Sequence, residues 1–141
     1  MMPRFGKRSI ACLDTCHEDL QRVAMRAIQR IDFSVKYGYR NRAEQDRLFR
    51  AGRSKLRYPK SDHNHTDTDG SPYSLAMDVI PYPWDWAEAV WHDGSLKPSH
   101  EARFNAVLDA IQNAADEIGV VVKFGRDWTS FKDWPHVYVV L

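Results

Sequence analysis

Apolar residues recur at helical spacing in three stretches, at about residues 20–31, 42–51 and 100–118. Residue types that favour helix ends flank each stretch. The expected N-caps are Thr15, Asn41 and Ser99, and the expected C-terminal stops are Gly52 and Gly119. Thr15 also fits a capping box, because a glutamate follows it three residues later. The pattern therefore predicts three helices.

Four shorter stretches have the pattern of strands. Residues 33–39 alternate between apolar and polar positions, and residues 75–81 form an apolar run that contains Asp78. Residues 120–124 and 136–140 follow the third helical stretch. Together with the helices, these strands predict an α+β fold, in which about three helices pack on a small, mostly antiparallel sheet.

The segment between the second helix and the second strand, residues 53–75, has no clear periodicity and is rich in Ser, Asp, Thr, Pro and Gly. A loop of this length inside a compact domain is usually functional or mobile. We interpret it as a long ordered loop. The basic residues that dominate positions 36–60 are interpreted as a solvated helix face, with contact to an anionic polymer as the alternative.

The composition is that of an ordinary globular chain. Its 141 residues are 43% hydrophobic and 28% charged, which fits a single domain over residues 1–141. The net charge of +1 does not indicate a nucleic-acid partner, and no apolar run is long enough for membrane insertion. The N-terminus lacks the apolar segment of a signal peptide, which predicts a protein that is cytoplasmic when made.

The two cysteines, Cys12 and Cys16, are four residues apart where a helix is expected to begin. A disulfide at that spacing inside a helix has poor geometry. We therefore expect free thiols in a reducing compartment. The alternative is a zinc site formed together with His17.

Candidate catalytic groups lie on segments that are far apart in sequence. His136 begins the last strand, Asp133 precedes it by three residues, and Asp78 lies in an apolar run where an unpaired carboxylate is costly to bury. The long loop adds His63 and His65, which point to opposite sides of an extended chain. Two histidines and a carboxylate are a ligand set for catalytic zinc. Asp133 is then available to orient His136 or to act as a general base, which suggests hydrolysis.

Arg40 is a further candidate, because it follows a strand and precedes a helix whose dipole disfavours a cation. A guanidinium at this place is suited to hold a carboxylate or to stabilise an oxyanion. The alternative is an ordinary surface arginine.

Short motifs along most of the chain occur in the same order as in a known family. They are Phe5-Gly6-Lys7-Arg8-Ser9, His17-Glu18-Asp19-Leu20, Gly38-Tyr39-Arg40 with Gln45, Ser61-Asp62-His63-Asn64, Ser74-Leu75-Ala76-Met77-Asp78-Val79, Gly125-Arg126-Asp127-Trp128 and Phe131-Lys132-Asp133-Trp134-Pro135-His136. With them the chain resembles the zinc D-Ala-D-Ala peptidase family (VanX/VanY-like), and most closely its phage L-alanyl-D-glutamate endopeptidases. The number and order of the motifs make the resemblance specific.

The resemblance implies a hedgehog/DD-peptidase-like fold and a role for each matched residue. Asp133 would be the catalytic acid/base. Arg40 would stabilise the oxyanion and position the substrate, and Ser61 would line the substrate site. The ligands of one zinc ion per chain would be His63, Asp78 and His136.

The chain departs from the family pattern in the segment between the first histidine and the aspartate. Fourteen residues separate His63 from Asp78, which is more than family members usually have, and we interpret the excess as an insertion. The insertion leaves His65 as an alternative ligand, although the motif favours His63. The inserted Asp67 and Asp69 offer a site for a second cation such as Ca²⁺, but a turn without a ligand is the favoured interpretation.

The predicted function is zinc-dependent hydrolysis of a peptide bond in peptidoglycan stem peptides, and the resemblance to phage endolysins favours the L-Ala–D-Glu bond. D-Ala-D-Ala carboxypeptidase or dipeptidase activity is the alternative within the class. A non-catalytic zinc module that binds the cell wall or another protein is the alternative outside it. We expect a monomer that reaches the wall after holin-assisted release.

Overall fold

A computed structural model describes residues 3–141, and over this range five α-helices and four β-strands follow one another along the chain. The helices are α1 (Lys7–Leu13), α2 (Glu18–Ala27), α3 (Arg42–Arg50), α4 (Trp86–Ala89) and α5 (Pro98–Ile118). The strands are β1 (Phe33–Tyr37), β2 (Ala76–Pro81), β3 (Val121–Phe124) and β4 (His136–Val140). Two short 3₁₀-helices cover Asp62–Asn64 and Gly125–Asp127.

The four strands form one antiparallel sheet in the order β1-β2-β4-β3. Between β2 and β4, Met77 pairs with Val137 and Asp78 pairs with His136. Residues directly opposite each other on neighbouring strands point to the same face, and successive residues alternate between faces. The apolar pair therefore faces one side of the sheet, and the aspartate and histidine face the other.

The hydrophobic core lies between the apolar face of the sheet and two helices, α2 and α5, which pack against each other and against the strands. The buried core residues of the helices include Leu20, Val23, Ala24, Phe104, Leu108 and Ile111. Those of the strands include Phe33, Val35, Met77, Val79, Val137 and Val139. Because the core occupies one face, polar groups of β2 and β4 are available on the opposite face.

The predicted α+β class and antiparallel sheet are confirmed, and the three predicted helices correspond to α2, α3 and α5. Two short helices, α1 and α4, were not predicted. The first has seven residues and no side-chain hydrogen bond at its N-cap, and the second has four residues. Both are too short to show an apolar repeat of 3.6 residues.

The expected N-cap at Thr15 was wrong, because α2 begins two residues later. His17 caps this helix, and its Nδ1 accepts a hydrogen bond from the backbone N–H of Asp19 at 3.0 Å. Thr15 instead closes the end of α1. Its hydroxyl donates to the carbonyl of Cys12 at 2.6 Å and accepts from the N–H of Tyr39 at 2.9 Å.

The expected cap at Ser99 was also wrong, because α5 begins at Pro98. Proline lacks an N–H and has a helical φ, which makes it a natural first residue of a helix. The cap at Asn41 is confirmed by its side chain, which accepts from the N–H of Glu44. The stop at Gly119 is confirmed by its left-handed φ of 76°.

Both cysteines are free thiols, as predicted, and burial raises the pKa of the Cys16 thiol to about 12. The long loop between α3 and β2 is also confirmed, with Asp62–Asn64 as its one helical turn. Over residues 3–141, every helix is too short or too polar to cross a membrane.

Candidate active site

Asp78 and His136 form the base of the candidate site, because they are paired across β2 and β4 on the face opposite the core. The Oδ1 atom of Asp78 lies 3.5 Å from Nδ1 of His136. The backbone register alone brings these two side chains together, although 57 residues of sequence separate them.

His63 reaches the same point from the long loop. The hydroxyl of Ser61 accepts from the N–H of His63 at 3.2 Å, and Asn64 Oδ1 accepts from the N–H of Ser61 at 3.1 Å, so a capping box holds the 3₁₀-helix. Nδ1 of His63 is 2.8 Å from the carbonyl oxygen of Gly38, to which it donates. The other ring nitrogen, Nε2, thus carries a lone pair and lies 3.4 Å from Asp78 Oδ1.

These three side chains have the properties of a metal-ligand set. One ligand atom from each of His63, Asp78 and His136 lies within 4.8 Å of the others. Asp78 Oδ1 is buried and has no hydrogen-bond partner, which is costly unless a cation binds it. Burial opposes ionisation of Asp78, but the rings of His136 and His63, when they carry protons, outweigh it and hold the pKa of this carboxyl below its ordinary value. A metal ion bound to the ring lone pairs would supply the positive charge in place of those protons. An ionised carboxylate and two imidazoles fit a divalent metal ion.

Asp133 lies beside the ligand set in the turn that leads into β4. Its N–H donates to the carbonyl of Gly125 at 3.0 Å, and its own carbonyl accepts from the N–H of His136 at 3.1 Å. Burial, and after it the negative charge of Asp78, raise the pKa of the Asp133 carboxyl. Arg40 and the two histidines act in the opposite direction without cancelling the effect.

Gly125 explains how the turn can pass so close to the site. A Cβ atom at this position would lie 2.9 Å from Cβ of Asp133 and 3.0 Å from Cβ of His136, and closer still to the Asp133 carbonyl oxygen. Real Cβ atoms do not tolerate such contacts, so glycine is required here by close packing.

Arg40 is held at the edge of the site by neutral groups. Its guanidinium donates to Gln45 Oε1 at 2.9 Å, and its backbone carbonyl accepts from Asn64 Nδ2 at 2.8 Å. Because the partner of the guanidinium is an uncharged amide, the positive charge is not neutralised by a carboxylate at that contact.

Gln45 is a residue whose importance the sequence did not indicate beyond a motif match. It is fully buried on α3, and its Nε2 donates to Ser54 Oγ at 2.9 Å and to the carbonyl of Leu56 at 2.6 Å. Its Oε1 also accepts from Asn64 at 3.3 Å. One signal was available, since Gln45 precedes the apolar Leu48 and Phe49 of α3 by three and four residues and so shares their face.

All six predicted site residues line one depression of about 340 Å³. They are Arg40, Ser61, His63, Asp78, Asp133 and His136. The sequence did not predict the remaining wall, which includes Arg53, Ser54, Lys55, Trp128 and Phe131. The depression thus combines a candidate metal centre with a carboxylate of raised pKa and several cationic groups, an arrangement suited to hydrolysis of a polar bond.

His65 is directed elsewhere, since its Nδ1 lies 3.0 Å from the carbonyl oxygen of Tyr73. The inserted segment forms a compact turn. In it one carboxylate oxygen of Asp67 accepts from the backbone N–H groups of Asp69 at 2.9 Å and Ser71 at 3.0 Å. Among residues 3–141, the two histidines and the aspartate of the sheet site are the one group of three His, Cys, Asp or Glu side chains close enough together to share a metal ion.

The fold and the site together define a class of protein. It is an α+β peptidase-like chain in which two histidines and an aspartate form a metal-ligand set beside a separate acidic residue. The model of the family described as phage L-alanyl-D-glutamate peptidase matches residues 1–137. The chain belongs to this family.

Individual relatives agree with the family match. The L-alanyl-D-glutamate peptidase of Escherichia phage T5 is 32% identical over 139 residues, which cover 93% of this chain and 85% of that protein. The crystal structure of the L-Ala D-Glu endopeptidase ChiX of Serratia marcescens matches with a TM-score of 0.72 and 29% identity, over 99% of this chain and 91% of that chain. These similarities confirm the predicted fold and the assignment as a peptidase.

Proposed function

We propose that the protein is a zinc-dependent peptidase that cleaves the L-Ala–D-Glu bond in the stem peptides of bacterial peptidoglycan. The observation that carries this proposal is the ligand set of His63, Asp78 and His136 next to the carboxylate of Asp133. The choice of bond is supported by the family and by both relatives, which are named for this linkage. The family match over residues 1–137 also supports a single peptidase domain.

The residues of the ligand set fit one zinc ion per chain. Two imidazoles and one carboxylate are a known ligand set of catalytic zinc and leave a coordination position open. The chemistry that zinc supplies when bound is Lewis acidity, which makes water more acidic and polarises a carbonyl group.

Asp133 is proposed as the acid/base. Its carboxylate takes a proton from the attacking water as the bond from oxygen to the carbonyl carbon forms. It returns a proton to the amine nitrogen as the carbon–nitrogen bond breaks, so that a free carboxylate and a free amine result. Burial and the charge of Asp78 raise the pKa of Asp133, which suits a group that must both accept and release a proton.

Arg40 and Ser61 are proposed to position the substrate. The guanidinium of Arg40 lines the depression with a neutral partner, so it is suited to stabilise negative charge that develops on the carbonyl oxygen. Ser61 lines the same wall and holds the 3₁₀-helix of His63, so its substitution is expected to disturb both substrate contacts and the ligand set.

The test is mass spectrometry of purified peptidoglycan after digestion by the protein, with and without added zinc. New L-Ala carboxyl ends and D-Glu amino ends, formed only when zinc is present, are the expected result. Release of free D-Ala would contradict the proposed bond and indicate D-Ala-D-Ala carboxypeptidase activity. Absence of products from a protein that holds one zinc per chain would contradict the proposal and favour a binding module.

A further inference from the structure

A second depression continues from the candidate active site. It has a volume of about 650 Å³ and is lined in part by residues 131–135, the turn that carries Asp133. Phe131 and Asp133 line both depressions, so the two spaces meet at the proposed acid/base. We therefore take the second depression as a candidate surface for the part of a substrate that extends beyond the first.

The two depressions differ in chemistry. The first has three cationic residues in its wall, Arg40, Arg53 and Lys55. The second is lined by Trp86, Leu96 and Trp134 together with Gly94 and Ser95. Its charged groups are of both signs and comprise Glu101, Lys132 and the shared Asp133. The first is thus suited to bind carboxylates, whereas the second offers aromatic surface with little net charge.

The aromatic surface of the second depression is open to solvent. Trp86 is 43% exposed and Phe131 is 63% exposed. Trp84 and Trp134, by contrast, pack on Phe104 with ring centroids 4.9 and 6.0 Å away and belong to the border of the core. Exposed aromatic side chains that line a cleft mark a surface for a ligand with apolar faces, and the rings of sugars have such faces.

The covalent structure of peptidoglycan suggests one occupant for each depression. In peptidoglycan the L-Ala of the stem peptide is joined to a muramyl sugar, and the residues beyond the L-Ala–D-Glu bond carry carboxylates. One residue spans roughly 3.5 Å of extended chain, so the sugar must lie close to the bond that is cleaved. A site for this bond therefore needs a saccharide surface on the acyl side and cationic groups on the amine side.

We infer that the second depression, at Trp86 and Phe131, binds the saccharide on the acyl side of the cleaved bond, and that Arg53 and Lys55 bind the carboxylates on the amine side. This inference rests on the proposed L-Ala–D-Glu peptidase function. It makes the protein selective for stem peptides that are still attached to the glycan.

The test compares two substrates that share one stem peptide, a disaccharide-linked muropeptide and the free peptide with an N-acetylated L-Ala. Trp86→Ala is expected to lower kcat/KM on the muropeptide by roughly 3- to 10-fold and to leave kcat/KM on the free peptide unchanged. The matched control is Trp91→Ala, because Trp91 is 54% exposed but lines neither depression. Replacing both Arg53 and Lys55 by Ala is expected to lower kcat/KM on both substrates.

A second measurement uses the wild-type protein alone, so it does not depend on the folding of a variant. N-acetylmuramyl-L-Ala is expected to inhibit cleavage of the free peptide more strongly than N-acetyl-L-Ala does. Equal inhibition by the two compounds would overturn the inference, as would an equal loss on both substrates in Trp86→Ala. If the wild type cleaves neither substrate at the L-Ala–D-Glu bond, the proposed function fails instead.

Discussion

The two carboxylates of the site, Asp78 and Asp133, have opposite surroundings. Asp78 faces the rings of His63 and His136, which keep it ionised despite burial, and its pKa is lowered. Asp133 is buried near the charge of Asp78, and its pKa is raised. Two titratable groups whose environments move their pKa values apart are expected to have different tasks, here a metal ligand and an acid/base.

The first prediction concerns the acid/base. Asp133→Ala should keep a full equivalent of metal but lower the rate of hydrolysis by roughly 10²–10⁴-fold, the usual contribution of general acid–base catalysis. Metal analysis and initial rates on a muropeptide measure both effects. Asp127→Ala is the control, since its side chain is 72% exposed and close in sequence. A turnover near that of the wild type would remove Asp133 from the mechanism.

The second prediction separates the two loop histidines. His63→Ala should abolish tight metal binding, because it removes one of three ligand atoms. His65→Ala should leave metal content and activity near those of the wild type, because the His65 ring contacts the carbonyl of Tyr73 instead. Titration of the metal-free proteins with zinc gives the comparison, and the reverse order of affinities would contradict the assigned ligand.

The chemical type of a residue was enough to identify some members of the candidate site from the sequence, but not all of them. An aspartate in the apolar run of β2 was conspicuous because burial of a charge requires a partner, and that argument led to Asp78. Gln45 had no such signal, because a glutamine on a helix is usually exposed. Only its complete burial, with hydrogen bonds to Arg40, Ser54 and Leu56 in the wall of the site, shows what it holds in place.

At the level of elements, the turn from Gly125–Asp127 into β4 positions Asp133, the proposed acid/base, and His136, a proposed metal ligand. The third prediction is that Gly125→Ala lowers both stability and activity, because the added methyl group would collide with the backbone of Asp133 and with His136. We expect a destabilisation of about 1–3 kcal/mol, typical of overpacking. Thermal unfolding and initial rates test this. Gly6→Ala is the control, since open space surrounds that glycine, and equal behaviour of the two variants would contradict the close-packing argument.

The helix pair that covers the core carries a surface ion cluster. Glu117 of α5 accepts a hydrogen bond from Arg26 of α2 at 2.7 Å, and Arg30 contacts both of its carboxylate oxygens. These hydrogen bonds, Arg30 first and then Arg26, lower the pKa of Glu117 in the folded protein. A lowered pKa stabilises the folded state above the unfolded pKa of about 4.3, and this stabilisation is lost as the pH falls through the folded value.

The fourth prediction follows from the lowered pKa of Glu117. Glu117→Gln should be less stable than the wild type at pH 7, and the difference in free energy of unfolding should shrink as the pH falls below about 4. The difference should also decrease at high salt, because the cluster is exposed. Urea unfolding at several pH values measures this difference in free energy, and Glu88→Gln, at another exposed glutamate, is the control. A difference that does not change with pH would contradict the ionic origin.

The prediction of elements failed mainly at their ends. The apolar repeat located α2 and α5 because it reflects the buried face of each helix, which tertiary packing preserves. The caps at Thr15 and Ser99 were wrong because several residues near each end can close a helix, and neighbouring segments decide between them. Thr15 is engaged by Cys12 and Tyr39 instead, and the contact with Tyr39 exists only after the segment that follows β1 has packed beside α1.

For the whole molecule, the candidate metal centre connects β2, β4 and the long loop, so metal should stabilise the fold. The fifth prediction is that removal of the metal abolishes hydrolysis and lowers Tm. If the metal is present at about 100 times its Kd, its removal lowers the free energy of unfolding by about 2.7 kcal/mol. For a domain of this size this corresponds to a decrease of roughly 5–10 °C in Tm. Calorimetry with and without a chelator measures it, and added zinc should restore both properties. An unchanged Tm in protein shown to be free of metal would contradict a site that links these elements.

The sequence by itself determined the fold class, the family and the identities of the six predicted site residues, because each depends on local pattern or on residue chemistry. The tertiary structure decided which of these groups meet. Antiparallel register places His136 opposite Asp78, and a capping box and a hydrogen bond to Gly38 direct His63 rather than His65 toward them. It also decided the cationic and aromatic walls of the two depressions. Their residues come from distant segments, and no spacing along the chain records which surfaces will face each other once the core has formed.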